Sequence, residues 1–229
     1  NEIARLERLA IQEGLNFVRV DPRINRNDRD LTLDVEFQLT RGDRIFIERI
    51  DIEGNTTTLD RVVRRQFNVV EGDPFNPRAI RESAERIRAL GFFTNADVQA
   101  REGSSGQQVV IDVNVEEKPT GSFGFGGSYS TTTGFGANIS FSERNFLGRG
   151  QQLSFSLNTA QTQNAFNFSF VEPAFLGRDV AFGLALGYSE ASNLSDLYSI
   201  QSGQFQPFFE FPLSDKTRLQ ARYTLTYSN

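Results

Sequence analysis

The sequence contains no cysteine, histidine, methionine or tryptophan in 229 residues. Without His or Cys there is no histidine-based triad, no thiolate nucleophile and no zinc site of the usual ligand types. Catalysis would have to rest on carboxylates, Ser, Lys or Tyr. An enzyme is not expected, and neither is a cofactor or metal. The lack of Cys fits any compartment, including an oxidising one in which the fold does not rely on disulfides. No apolar run reaches the roughly 18 residues that a membrane helix needs. Strands cross a bilayer with only about 9–11 residues each and leave a weak alternating trace, so a membrane is not excluded. The net charge of −5 argues against a polyanion-binding groove, and nucleic acid is not an expected partner. The chain begins with Asn and shows no charged-then-apolar leader, which reads as a processed chain or a fragment.

Charge is scarce on one side of a seam only. Residues 1–120 hold 18 of the 24 Lys and Arg and 22 of the 29 Asp and Glu, whereas 15 of the 22 Phe and all five Tyr lie after residue 120. Two physically different materials are joined there.

The charged half repeats itself. Asn1–Glu13 reads as a helix with Ile3, Leu6 and Ala10 at helical spacing and Gly14 as its stop. Two strand-like runs follow, Asn16–Asp21 and Leu31–Leu39, around the turn-rich Asn25–Asp30. Ile45–Glu53 is a further strand, broken by Gly54-Asn55. Thr57-Thr58-Leu59-Asp60 has a capping-box arrangement ahead of Leu59, Val62, Val63 and Phe67 on one helical face. Asn76-Pro77 opens a second helix with a cap residue and a proline at its first position, with Ile80, Ala84 and Ile87 on the buried side. Gly91 ends it, and Phe92-Phe93 leads to strands at Ala96–Arg101 and Val109–Glu117. The order is β-α-α-β-β. A shift of 77–79 residues lays Gly14 on Gly91 and Leu33–Phe37 on Ile111–Val115, so the first 42 residues read as the second half of the same unit.

From Gly121 the period becomes two. Seven runs alternate large apolar residues with Gly, Ala, Ser, Thr, Asn or Gln, among them Phe123/Phe125/Tyr129, Phe166/Phe168/Phe170 and Leu219/Ala221/Tyr223/Leu225/Tyr227. A soluble antiparallel sandwich also alternates, so periodicity alone does not choose. Seven successive strands with a bulky face, a small polar face and little charge resemble a lipid-facing wall around a polar lumen. Seven is an odd number with open edges, so further strands are expected beyond Asn229. Phe146-Leu147-Gly148-Arg149 recurs as Phe175-Leu176-Gly177-Arg178, two strands later. These rim turns read either as packing motifs, with Gly at positive φ and Phe-Leu tucked under the rim, or as contacts to the charged modules. Glu190–Ser202 is the longest expected loop. The first strand carries Gly121, Gly124, Gly126 and Gly127, which either weaken it or relieve crowding in the lumen.

The β-α-α-β-β unit, the junction Glu116-Glu117-Lys118-Pro119-Thr120-Gly121 and the turns Asn145–Gly150 and Glu172–Arg178 together resemble a known family. It comprises the central subunits of the outer-membrane β-barrel assembly machinery, in which polypeptide-transport-associated (POTRA) modules precede a barrel. The resemblance implies an α+β fold of POTRA modules followed by an antiparallel transmembrane β-barrel, here incomplete. The domains would be residues 1–42, the C-terminal half of one module; 43–120, a complete last module; and 121–229, about seven barrel strands. It further implies a protein with its modules in the periplasm that folds and inserts other barrels without nucleotide hydrolysis. Its partners would be unfolded outer-membrane clients, accessory lipoproteins and outer-membrane lipids. The first strand (Gly121, Phe123, Gly124, Phe125, Gly126, Gly127, Tyr129) would be a lateral gate. Arg64 and Glu71 match the family's lipoprotein-docking positions, though charges like these usually form a merely solvated face. The alternatives are a translocation or secretion barrel of the same superfamily and a passive porin with periplasmic modules.

Overall fold

The computed structural model describes residues 3, 5, 6, 9, 10, 18–27, 32–41, 45–192, 199–214 and 217–229. They form two compact units that interleave along the chain. One comprises Asn1–Gly54, Arg65–Ala89 and Asn95–Val115, and the other Asn55–Arg64, Leu90–Thr94 and Glu116–Asn229.

In the first unit, Ile3, Leu6 and Ala10 are helical; the rest of the Asn1–Glu13 pattern lies outside the described residues, apart from Arg5 and Leu9. A hairpin pairs β1 (Val18–Asn27) with β2 (Thr32–Arg41). The first strand runs further than its apolar pattern implies, through Pro22 opposite Phe37. Proline is tolerated because, among the described residues, β1 pairs on one side only, and its other side needs no donor. Of the expected turn Asn25–Asp30, residues 25–27 are therefore strand.

A second sheet has the order β3 (Phe46–Glu53), β5 (Gln108–Glu117), β4 (Phe93–Glu102), with β3 parallel to β5. Helix α2 (Pro77–Ala89) starts where the cap was expected: Asn76 Oδ1 accepts the backbone N–H groups of Arg78 and Ala79 at 2.9 and 3.4 Å. It buries Ile80, Ser83, Ala84 and Ile87, and the sheet buries Ile47, Ile50, Val110, Ile111 and Val113. The outer edge of β3 is already occupied. Ile47 N donates to Asp73 O, Gly72 N to Ile47 O, and Phe75 N to Ile45 O, at 2.8–2.9 Å. Glu71 Oε1 takes the Ile50 N–H at 3.2 Å.

In the second unit, α1 (Asp60–Arg64) is shorter than the apolar pattern implied and buries Val62 and Val63. The seven expected strands form one antiparallel meander: β6 (Gly121–Ser130), β7 (Gly134–Phe146), β8 (Gln151–Ala160), β9 (Gln163–Glu172), β10 (Ala181–Ser192), β11 (Ser199–Ser214) and a seventh strand split into β12 (Thr217–Arg222) and β13 (Leu225–Ser228). Pro207 explains the split. Tyr223 N donates to Pro207 O at 3.1 Å, and proline has no N–H to return. The expected loop Glu190–Ser202 is shorter than its polarity suggested, because Glu190, Ala191 and Ser192 pair with Gln201, Ile200 and Ser199. The sheet does not close among the described residues, and β6 is one of its edges.

Candidate functional site: an edge strand and its root

Strand alternation puts successive side chains on opposite faces, and the register assembles them into rows. One row runs Phe123, Phe141, Phe155, Phe168, Leu186, Phe205, Leu225; the next residue along each strand gives Gly124, Ser140, Ser156, Asn167, Gly187, Gln204, Thr226. The apolar face is tied by ring contacts such as Phe141–Phe155 at 5.7 Å and Phe182–Phe209 at 5.1 Å. On β10 it runs from Phe182 to Tyr188, about 20 Å at 3.3 Å per residue, close to the apolar band of an outer-membrane barrel. Across from it the face is small and polar, as a water-filled lumen requires.

β6 pairs with β7 over its whole length. Among the described residues it has a partner on one side only, β7, and its large side chains stand out, with Phe125 81% exposed. Phe123 and Tyr129 are exposed as well. Its glycines divide into two kinds. A Cβ on Gly121, Gly124 or Gly126 would meet side-chain oxygens of Glu143, Ser140 or Asn138 at 2.5–2.8 Å, so crowding accounts for these. Gly127 has only Gly136 O at 3.7 Å in front of it. Crowding does not require that glycine, and its effect is to loosen the strand.

The root of β6 is built differently. Glu117, at the end of β5, accepts Thr56 Oγ1 at 2.8 Å and the backbone N–H groups of Thr57 and Thr58 at 2.9 and 2.6 Å. Burial pushes its carboxyl up, but the hydrogen bonds from Thr58, Thr56 and Thr57 outweigh it and bring the pKa down to about 2. The capping box expected at Thr57–Asp60 is therefore not what organises this loop. A carboxylate 59–61 residues away takes the donors, while Asp60 accepts Asn55 Nδ2 at 2.7 Å. On the other side, buried Asn145 donates to Thr58 Oγ1 and accepts from Gly150 N, both at 2.8 Å. Leu59 N donates to Gly148 O at 2.8 Å, and a Cβ on Gly148 would fall 1.9 Å from Thr57 O. Glu143 joins the cluster by accepting Thr120 Oγ1 and Asn145 N. Thr57, Thr58, Glu117, Thr120, Glu143 and Asn145 border a cleft of about 470 Å³ that also takes in Phe92, Lys118 and Pro119.

Of the rim-turn residues, Phe146 and Phe175 are partly buried, and Phe175 packs on Phe182 and Phe209. Leu147 and Leu176 are 65% and 82% exposed, so they are not tucked beneath the rim. Leu and Gly both have positive φ in each turn, and Arg149 and Arg178 are exposed. Exposed Arg64 ends α1 in the second unit, and exposed Glu71 lies in the first, against β3. The residues missed from sequence are Glu117 and Asn145. For Asn145 the signal is that it precedes the first Phe-Leu-Gly-Arg where Ala174 precedes the second; Glu117 has none.

Two family models match parts of the chain: a POTRA domain, described as a surface antigen variable number repeat, over residues 45–118, and an Omp85 superfamily domain over 145–229. The outer membrane protein assembly factor BamA of Neorickettsia risticii is 28% identical over 217 residues, 94% of this chain and 29% of that protein. BamA of Neisseria meningitidis serogroup B is 28% identical over 172 residues, 75% of this chain and 21% of that protein. The chain thus spans less than a third of these relatives' length. The crystal structure of BamA from Haemophilus ducreyi lacking POTRA domains 1–3 superposes with a TM-score of 0.66 at 24% identity, covering 97% of this chain and 44% of that one. CdiB from Acinetobacter baumannii has the same fold, with a TM-score of 0.55 at 12% identity over 99% of this chain and 45% of that one.

Proposed function

We propose that this chain, in which a POTRA domain leads into an Omp85 superfamily barrel domain, is the working part of an outer-membrane protein assembly factor. It acts by templating strands and not by covalent catalysis. The modules sit in the periplasm and the Phe-rich sheet in the outer membrane. The observation that carries this reading is β6: the first strand of the sheet, holding the uncrowded Gly127 and led in by a junction that Glu117 and Asn145 tie down. A strand whose backbone N–H and C=O groups are weakly committed offers them to an incoming client strand, which is β-augmentation inside a membrane. The outer edge of β4 supplies a second template, for extended client in the periplasm, and its charged Asp97, Arg101 and Glu102 oppose aggregation.

Gly121, Phe123, Gly124, Phe125, Gly126, Gly127 and Tyr129 are the gate strand in this reading. Cysteines joining position 123 or 125 to the barrel's closing strand in the full-length protein test it. Client assembly is expected to stop in the oxidised form and to return on reduction; assembly that continues in the locked form overturns the reading. Arg64 and Glu71 are the proposed lipoprotein contacts. Glu71→Lys is expected to reduce lipoprotein co-purification. Because Glu71 also holds the Ile50 N–H, Glu71→Gln separates the two roles: it removes the charge and keeps an acceptor for that N–H.

A further inference from the structure

The two Phe-Leu-Gly-Arg turns have the same backbone. Leu147 and Gly148 have φ of 54° and 68°, Leu176 and Gly177 of 55° and 75°. Arg149 N donates to Phe146 O and Arg178 N to Phe175 O, both at 3.2 Å. Positive φ at both central residues is the type I′ arrangement, which in water favours Asn, Asp or Gly. Leucine is disfavoured there because its Cβ crowds the following carbonyl. Burial does not compensate it.

The surroundings of the two turns differ. The first is covered by Thr57 and Leu59 through Gly148, whereas a Cβ on Gly177 would meet nothing within 4 Å. The second turn instead continues the apolar face. Phe175 sits against Phe182 and Phe209 at 5.3 and 5.8 Å, and 82%-exposed Leu176 is the next residue outward. Arg178 is exposed and forms no side-chain ion pair or hydrogen bond among the described residues, while the neighbouring Asp179 is engaged by Arg218 at 3.0 Å.

We propose that the Phe175–Arg178 turn is a lipid anchor, with Leu176 seated among acyl chains near the glycerol level of the periplasm-facing leaflet and Arg178 on a phospholipid phosphate. Lipid is the occupant because the turn extends the face that meets acyl chains and then presents a guanidinium, whose fork matches phosphate oxygens. Leucine inserted there recovers the burial that the turn does not give it in water.

The inference rests on the membrane reading of the sheet, and the test separates the two. This chain has no tryptophan, so Leu176→Trp and Phe168→Trp can each be read as a difference from the parent full-length protein in phospholipid vesicles. Phe168→Trp is expected to be quenched mainly by lipids brominated near the chain ends, and Leu176→Trp several-fold more by lipids brominated near the glycerol. An unquenched indole in the Phe168→Trp variant contradicts the membrane reading. Quenching in that variant, together with an iodide-accessible and lipid-unquenched indole in Leu176→Trp, overturns the anchor alone. A second variant guards against misfolding. Leu176→Asn suits the turn in water, so it is expected to keep the thermal midpoint in detergent and slow insertion into vesicles several-fold. An unchanged insertion rate overturns the anchor.

Discussion

At its root β6 is fixed by a carboxylate with three donors, a buried amide satisfied on both sides and a glycine pressed against a carbonyl. A few residues on, the same strand carries exposed aromatic rings and a glycine that nothing crowds. Among the described residues, long-range polar contacts gather where the strand begins, and the stretch beyond holds a glycine that loosens it. In the proposed function, that arrangement would let the strand open without coming away from its base.

The comparison can be broken hardest at Gly148. Its Cβ would lie 1.9 Å from the backbone of Thr57 at φ +68°, so Gly148→Val combines a clash with a conformational penalty and is expected to cost about 3–5 kcal/mol. Gly177→Ala, at φ +75° with nothing within 4 Å, is expected to cost only about 1 kcal/mol. Urea midpoints of the two variants in detergent check the difference; equal losses would mean that the first turn is not clamped.

Glu117→Gln is the next largest change. It keeps an acceptor but gives up charge-assisted bonds, an expected loss of about 1–3 kcal/mol. The pH dependence gives the sign. The folded-state pKa of about 2 lies below the ordinary 4.5, so the carboxylate's contribution is complete above about pH 4.5 and is lost as pH falls toward 2. Parent stability is expected to decline across that window, and the Gln variant to decline less steeply. Parallel curves would remove Glu117 from the anchor.

The smallest effect is expected at Gly127. Gly127→Ala meets only Gly136 O at 3.7 Å and is expected to stabilise β6 by about 0.5–1 kcal/mol. Client assembly should slow while barrel stability rises. Faster or unchanged assembly would show that a loose strand is not what the function uses.

Much of this architecture can be read from the chain, because it follows local rules. Period-two alternation sets the seven strands, and Asn76-Pro77 sets the start of α2. What escapes local rules is set by distant partners. The donors of Thr57 and Thr58 go to Glu117, 60 and 59 residues on, in place of the local capping box. Ladder pairing extends β10 and β11 into a polar stretch that reads as loop. Pro207 splits a strand whose own residues give no sign of a break. Leu147 and Leu176 are the most misleading, since apolar residues beside a strand end read as buried and both are exposed.

Hydrogen exchange along residues 116–150 of the full-length protein in membranes tests the central claim most directly. The one uncrowded glycine, Gly127, makes β6 weaker by about 0.5–1 kcal/mol, or roughly 2- to 5-fold in protection. The account predicts that amides of Gly121–Ser130 exchange faster than those of Asn145–Gly150 by a factor in that range. Equal protection of the strand and its root would contradict it.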